Sequence, residues 1–259
     1  MELPTLLLVT FLAALVTDLA TGLGAVPFFL VPSMSDRLKA RFTGAAAGMM
    51  TTASVLQLLG VASDMAPRWG IWQVGLGILA GGAFLRFTSR WVDSHDGVDF
   101  GGLRRQGGRT ALLIVATMTL HSLPEGIAIG VAYGEAGESG SMALGLSVAL
   151  ALAVHNIPEG VAITVALRGQ GISTLRSMGW AVVSSVPQPL AAPLAAWAIW
   201  LFAPLLPAGL GFAAGAMMYL VVAELLPEAY PDAGRDGTAW SFTVGLLVML
   251  VLNGFLGPA

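Results

Sequence analysis

Polar and apolar positions along this chain segregate into long blocks rather than alternating. Eight apolar runs fall at approximately residues 4–31, 42–62, 70–88, 110–133, 142–167, 178–202, 205–227 and 239–257. Each is long enough, at about 1.5 Å per residue, to cross roughly 30 Å of hydrocarbon as a helix. The pattern predicts an all-α polytopic membrane protein with eight transmembrane helices, forming a single domain over residues 1–259. The longest connection, about Phe87 to Arg109, is polar and glycine-rich, and runs six and seven are split only by the Pro204–Pro207 turn. No stretch is left for a separate soluble domain.

Composition agrees with the pattern. Of 259 residues, 56% are hydrophobic and 10% charged, and the mean hydropathy is +0.80. Soluble domains carry about 25% charged residues. The net charge of −3 says nothing about nucleic acid by itself, but there is no basic patch, and no nucleic-acid partner is expected. The absence of cysteine excludes disulfides and thiolate metal sites. The start, Met1-Glu2-Leu3-Pro4, lacks the positive region of a signal peptide, so it is read as the beginning of the first span.

Lysine and arginine placement sets the topology. Arg37, Lys39 and Arg41 lie between runs one and two. Arg86, Arg90, Arg104, Arg105 and Arg109 lie between three and four, Arg168 and Arg176 between five and six, and Arg235 between seven and eight. Eleven of the twelve basic residues therefore share one side, and only Arg68 lies opposite. This predicts an even number of spans with both termini extracytoplasmic. The outer side carries Glu2, Asp64, Glu135 and Glu138, which would either favour cation entry or merely solvate loops. With Lys39 as the only lysine, the composition suits a bacterial protein of the cytoplasmic (inner) membrane. Rows of small residues, Gly44 to Gly48 and Gly211 to Ala216, predict close helix packing in the bilayer.

The chemistry concentrates in runs four and five. His121-Ser122-Leu123-Pro124-Glu125-Gly126-Ile127-Ala128-Ile129 recurs as His155-Asn156-Ile157-Pro158-Glu159-Gly160-Val161-Ala162-Ile163. Ionisable residues inside hydrocarbon are costly and mark functional sites. Positions four apart share a helix face, so each helix offers an imidazole and a carboxylate together. Two such helices can close a four-ligand N₂O₂ site. That donor set suits zinc, iron, manganese or cadmium better than magnesium or calcium. Pro124 and Pro158 deprive the carbonyls of Leu120 and Val154 of their helical donors, predicting kinked or unwound backbone beside each histidine. Consecutive spans run antiparallel, so the repeat forms an inverted pair, a feature of transporters.

The two blocks resemble the paired signature of the ZIP family of divalent metal transporters, in a pattern closest to its bacterial, GufA-like branch. The resemblance extends to Leu19-Ala20-Thr21-Gly22-Leu23-Gly24-Ala25-Val26-Pro27 and to Glu224-Leu225-Leu226-Pro227-Glu228-Ala229, and so covers essentially the whole chain. It implies import of a divalent metal, zinc foremost, with cadmium, iron and manganese as other cargo and no resident cofactor. It implies a first metal position made by His121, Glu125, His155 and Glu159. A second would use Ser122, Asn156, Glu159 and the residue at Gln188. There the chain departs from the family, which usually has glutamate, so the second position is expected to be weakened or lost. The resemblance also implies an acidic exit-side ligand at Glu224, a homodimer, and movement of spans 1, 4, 5 and 6 against spans 2, 3, 7 and 8.

Other polar residues have two readings each. Glu224 is either a metal ligand or a solvated helix end. Asp18 is intramembrane and either functional or structural. Met49 and Met50 either line a pathway or fill the core. Asp93, His95, Asp96 and Asp99 either receive metal or solvate a loop. Two other function classes stand beside transport. An intramembrane metallo-hydrolase would need an open zinc position and a separate base, and its usual His-Glu-x-x-His is absent. A metal sensor without flux would share the ligand set.

Overall fold

The computed structural model describes residues 2–30, 35–65, 70–94, 103–139, 142–198 and 203–256. Among these residues every regular element is helical. The longer helices, in chain order, are α1 (Leu3–Leu23), α2 (Asp36–Ala53), α3 (Ile71–Ser94), α4 (Leu103–Ser139), α5 (Ala143–Gly169), α6 (Thr174–Ser185), α7 (Pro187–Trp197), α8 (Leu206–Leu220) and α9 (Leu226–Leu256). A short 3-10 segment, Val26–Phe29, follows α1. The loop cluster His95, Asp96 and Asp99, the basic Arg68 and the side chains of Asp64, Asp93, Glu135 and Glu138 lie outside the described residues.

Six helical stretches among the described residues are long and apolar enough to cross a membrane: Leu3–Phe29, Asp36–Ser63, Ile71–Trp91, Ile114–Gly134, Gly145–Gly169 and Pro207–Phe255. Their outer faces are apolar. On α1 alone Leu8, Leu12, Val16, Leu19 and Leu23 are all about half exposed, at the spacing of one helical stripe. Such a surface is satisfied by lipid.

The helix ends follow from local chemistry. Ser35 caps α2 by accepting from the Leu38 amide at 3.3 Å, and Asp36 sits in the first turn, where the helix dipole favours a carboxylate. α6 stops at Ser185 because Pro187 and Pro189 have no amide to continue the ladder. The chain resumes as α7 after Val186, which places Gln188 in its first turn. Gly234 breaks α9 with φ 71° and ψ 168°, a conformation open to glycine and few others. Two segments are π-helical: Ser54–Leu59, extending α2, and Val221–Leu225, joining α8 to α9. Neither α4 nor α5 unwinds at its proline; both run through Pro124 and Pro158 as helix. The expected unwinding is absent, and the prolines are accommodated within otherwise intact helices.

The helices sort into two sets by their packing. α1, α4, α5, α6 and α7 pack on one another, whereas α2 pairs with α9 and α3 with α8. The sets meet where α5 lies on α2 and α4 lies on α8. The small-residue rows act as expected. A side chain at Gly48 would collide with the Phe242 carbonyl, and one at Gly215 with the Ile78 backbone. The tightest crossing joins α1 to α5, where a Cβ on Gly160 would overlap the Thr21 carbonyl.

Gly160→Ala is therefore expected to lower the unfolding free energy by about 1–3 kcal/mol through overpacking. Gly169→Ala, which has nothing within 4 Å, should stay within about 0.5 kcal/mol. Thermal denaturation of both variants in detergent checks this. Equal shifts would remove the argument for close approach.

Candidate metal centre

α4 and α5 lie side by side and present their repeated blocks to each other. His121 and Glu125 project from successive turns of α4, and His155 and Glu159 from successive turns of α5. All four are buried, at 2% exposure or less. One ligand atom from each lies within 4.8 Å of the others.

The separations identify the kind of site. His121 Nε2 is 3.4 Å from Glu125 Oε1 and 3.2 Å from Glu159 Oε1. His155 Nε2 is 3.3 Å from each of the same two oxygens. By distance these are four ion pairs. None has hydrogen-bond geometry, however, and a charge-assisted N–H···O bond runs at about 2.7–2.9 Å. Every polar side-chain atom of the four residues except Glu125 Oε2 lacks a hydrogen-bond partner. Orphaned buried groups of this number are costly, so the donors are arranged around a common point rather than paired. Corners of a tetrahedron around zinc, with bonds of about 2.0–2.1 Å, stand about 3.3 Å apart. A flattened quartet would put its centre about 2.4 Å from the farthest donors, slightly longer than those bonds. The imidazole rings stack at 5.9 Å and 25°.

Glu125 Oε2 is held from α7. The Gln188 amide donates to it in a short hydrogen bond. Gln188 in turn accepts from Asn156 Nδ2 at 3.0 Å and donates to Asn156 Oδ1 at 3.3 Å. The Thr17 hydroxyl of α1 lies 3.0 Å from Gln188 Oε1, and Asn156 Nδ2 also donates to the Thr17 carbonyl at 2.7 Å. Ser122 turns away, donating to Met118 O at 2.7 Å and lying 3.3 Å from Ser184 O. A second contact ties α1 to α6, where Thr21 and Ser185 hydroxyls meet at 2.8 Å.

The structure thus gathers His121, Glu125, His155 and Glu159, with Asn156 and Gln188 hydrogen-bonded beside them. It does not bring Glu224 into the quartet. Glu224 lies in the second π segment, half-buried, and accepts from Ser89 at 3.2 Å. Asp18 is buried at 2% with Oδ1 unpartnered. Met50 is buried in the core cluster with Met118 and Met217. Sequence reasoning missed Thr17. Its signal was the spacing Thr10, Ala14, Thr17, Thr21, a small and polar stripe on one face of α1, all of it buried apart from a trace.

Known proteins share this arrangement of sequence. A family model described as ZIP Zinc transporter matches residues 93–256. Zinc transporter GufA of Myxococcus xanthus is 33% identical over 254 residues, covering 93% of this chain and 98% of that protein. Zinc transporter ZIPB of Bordetella bronchiseptica is 34% identical over 247 residues, covering 93% of this chain and 77% of that protein. A longer relative from Arabidopsis thaliana is 37% identical over 234 residues; the match takes in 90% of this chain and only 36% of the plant protein. With a family model matched over more than half its length and relatives of one-third identity along nearly all of it, the chain belongs to the ZIP zinc transporter family.

Proposed function

We propose that the protein imports a divalent transition metal, zinc foremost, across a bacterial cytoplasmic membrane, holding the ion in transit at His121, Glu125, His155 and Glu159. The observation that carries this reading is the convergence of four unpaired donors at coordination spacing inside a lipid-facing bundle. Two carboxylates offset the charge of a divalent ion, and two imidazoles favour a borderline-soft one. Cadmium, iron(II) and manganese(II) fit the same set.

The packing of the helices favours passage over permanent storage. All four ligands sit in the set containing α1, α4, α5, α6 and α7, and the remaining helices form a separate frame. Alternating access would come from movement of the first set against the second, with Glu224 as an exit-side ligand.

The rest of the reading concerns topology and stoichiometry. Pro207–Phe255 spans 49 residues, about twice what one crossing needs, and Gly234 divides it. The broken pair α6 and α7 supplies one further crossing. Eight crossings result, with α4 and α5 as the inverted pair and both termini outside. One ion, not two, occupies the site. Of the remaining residues of a second position, Gln188 and Asn156 are hydrogen-bonded to each other, to Glu125 and to the Thr17 carbonyl, and Ser122 turns its hydroxyl to the Met118 carbonyl. A homodimer completes the reading, checked by light scattering of the purified protein.

Zinc uptake into proteoliposomes tests transport. Glu125→Ala and His155→Ala should each reduce uptake at least about 100-fold, the scale of losing one buried charged or coordinating group. Uptake by both variants at wild-type rates would refute the site; a wild type that binds zinc but never moves it would favour a sensor. Gln188→Glu should raise bound zinc from one ion to two, read by anomalous diffraction. Two fully occupied positions in the unaltered protein would overturn the single-ion reading.

A further inference from the structure

An open groove of about 590 Å³ lies between the first turns of α2 and the part of α9 that follows Gly234. One wall carries Arg37 and Arg41, four residues apart and so on one face of α2. The other carries Asp236. Between them the floor is apolar, with Phe42 and Val244 among its lining. Trp240 stands at the rim, 71% exposed.

The charges are available. Lys39, on the same turn of α2, is engaged with Asp36 at 2.9 Å. Arg37, Arg41 and Asp236 have no ion-pair partner among the described residues. The two guanidiniums do not reach the carboxylate across the groove, so a positive pair faces a lone negative charge over an apolar floor. Beyond the groove, α9 carries an exposed apolar stripe of Trp240, Val244, Leu247 and Val251, 45–71% exposed. Charge at one end, an aromatic belt residue beside it and an apolar track running into the bilayer match the layout of a phospholipid.

We infer that this groove binds a phosphatidylethanolamine-type lipid. Its phosphate sits between Arg37 and Arg41, whose planar guanidiniums suit phosphate oxygens. Its ammonium answers Asp236, and one acyl chain follows the stripe on α9. A headgroup with phosphate alone leaves Asp236 unmatched; a choline headgroup offers that carboxylate no N–H donor. The inference rests on the membrane-spanning reading of α2 and α9 and not on metal transport; it takes the cytoplasmic leaflet from the placement of basic residues.

Native mass spectrometry of the full chain in detergent, with ethanolamine, glycerol and choline phospholipids supplied in equal amounts, provides the test. The ethanolamine lipid should be retained most. Arg37→Gln/Arg41→Gln should weaken its retention about thirty-fold, the worth of two interfacial cations. Asp236→Asn should abolish the preference over the glycerol lipid. Melting of each variant without added lipid, and zinc binding, should match wild type, so loss of fold is recognised. As a measurement needing no charge variant, brominated ethanolamine lipid should quench more fluorescence in wild type than in Trp240→Phe. Unchanged retention in the double variant, equal retention of the choline lipid, or displacement by soluble phosphoethanolamine would each overturn the inference. So would a change in particle mass without a change in bound lipid, which would make the groove a contact between copies.

Discussion

The structure depends on the placement of two imidazoles and two carboxylates around a point that none of them fills. Left alone in hydrocarbon, such groups would pull the protein toward protonation or pairing. Here each imidazole Nε2 faces both carboxylates at once. The separations of 3.2–3.4 Å lack hydrogen-bond geometry and match the edges of a metal polyhedron. The glycines of the repeated blocks serve this placement. Gly126 lets α7 approach α4 at the level of Gln188, and Gly160 lets α1 approach α5 at Thr21. Both neighbours that brace the quartet reach it at positions where a side chain would have kept them away.

The bracing is asymmetric. Glu125 has one oxygen turned to the centre and the other fixed by Gln188, whereas both oxygens of Glu159 are free. Gln188 is oriented in turn by Asn156 and Thr17. A neutral amide here does what a carboxylate could not, since it donates to Glu125 instead of repelling it. The sequence departure at Gln188 thus has a structural meaning beyond a missing charge. The amide at this position steadies the Glu125 carboxylate.

Legibility in the sequence followed the range of the interactions. The His/Glu pairs were readable because one helical turn puts i and i+4 together. That the pairs meet was readable because adjacent spans with a common motif have a simple way to meet. The glycine rows announced close packing for a similar local reason. The break at Val186 was latent in Pro187 and Pro189, although the chain there read as one continuous run. Thr17 was hidden, because Gln188 lies 171 residues away and threonine in a membrane helix usually bonds its own backbone, as Thr10, Thr51 and Thr17 itself, to the Ala14 carbonyl, all do. The π segments carry no compositional mark, and the helical continuity through Pro124 and Pro158 shows neighbouring helices overriding a local breaker.

The sorting of helices into two sets has a consequence for the energy of the ion. His121, Glu125, His155 and Glu159, and the Gln188 that hydrogen-bonds to Glu125, all belong to the same set. Under the proposed movement of that set against its frame, these four side chains would travel together, and an ion held among them would cross the middle of the bilayer with its ligation unchanged. Hydration water would be exchanged only at the two ends of the path, and the barrier between them would reflect side chains sliding past side chains, not bonds to metal breaking.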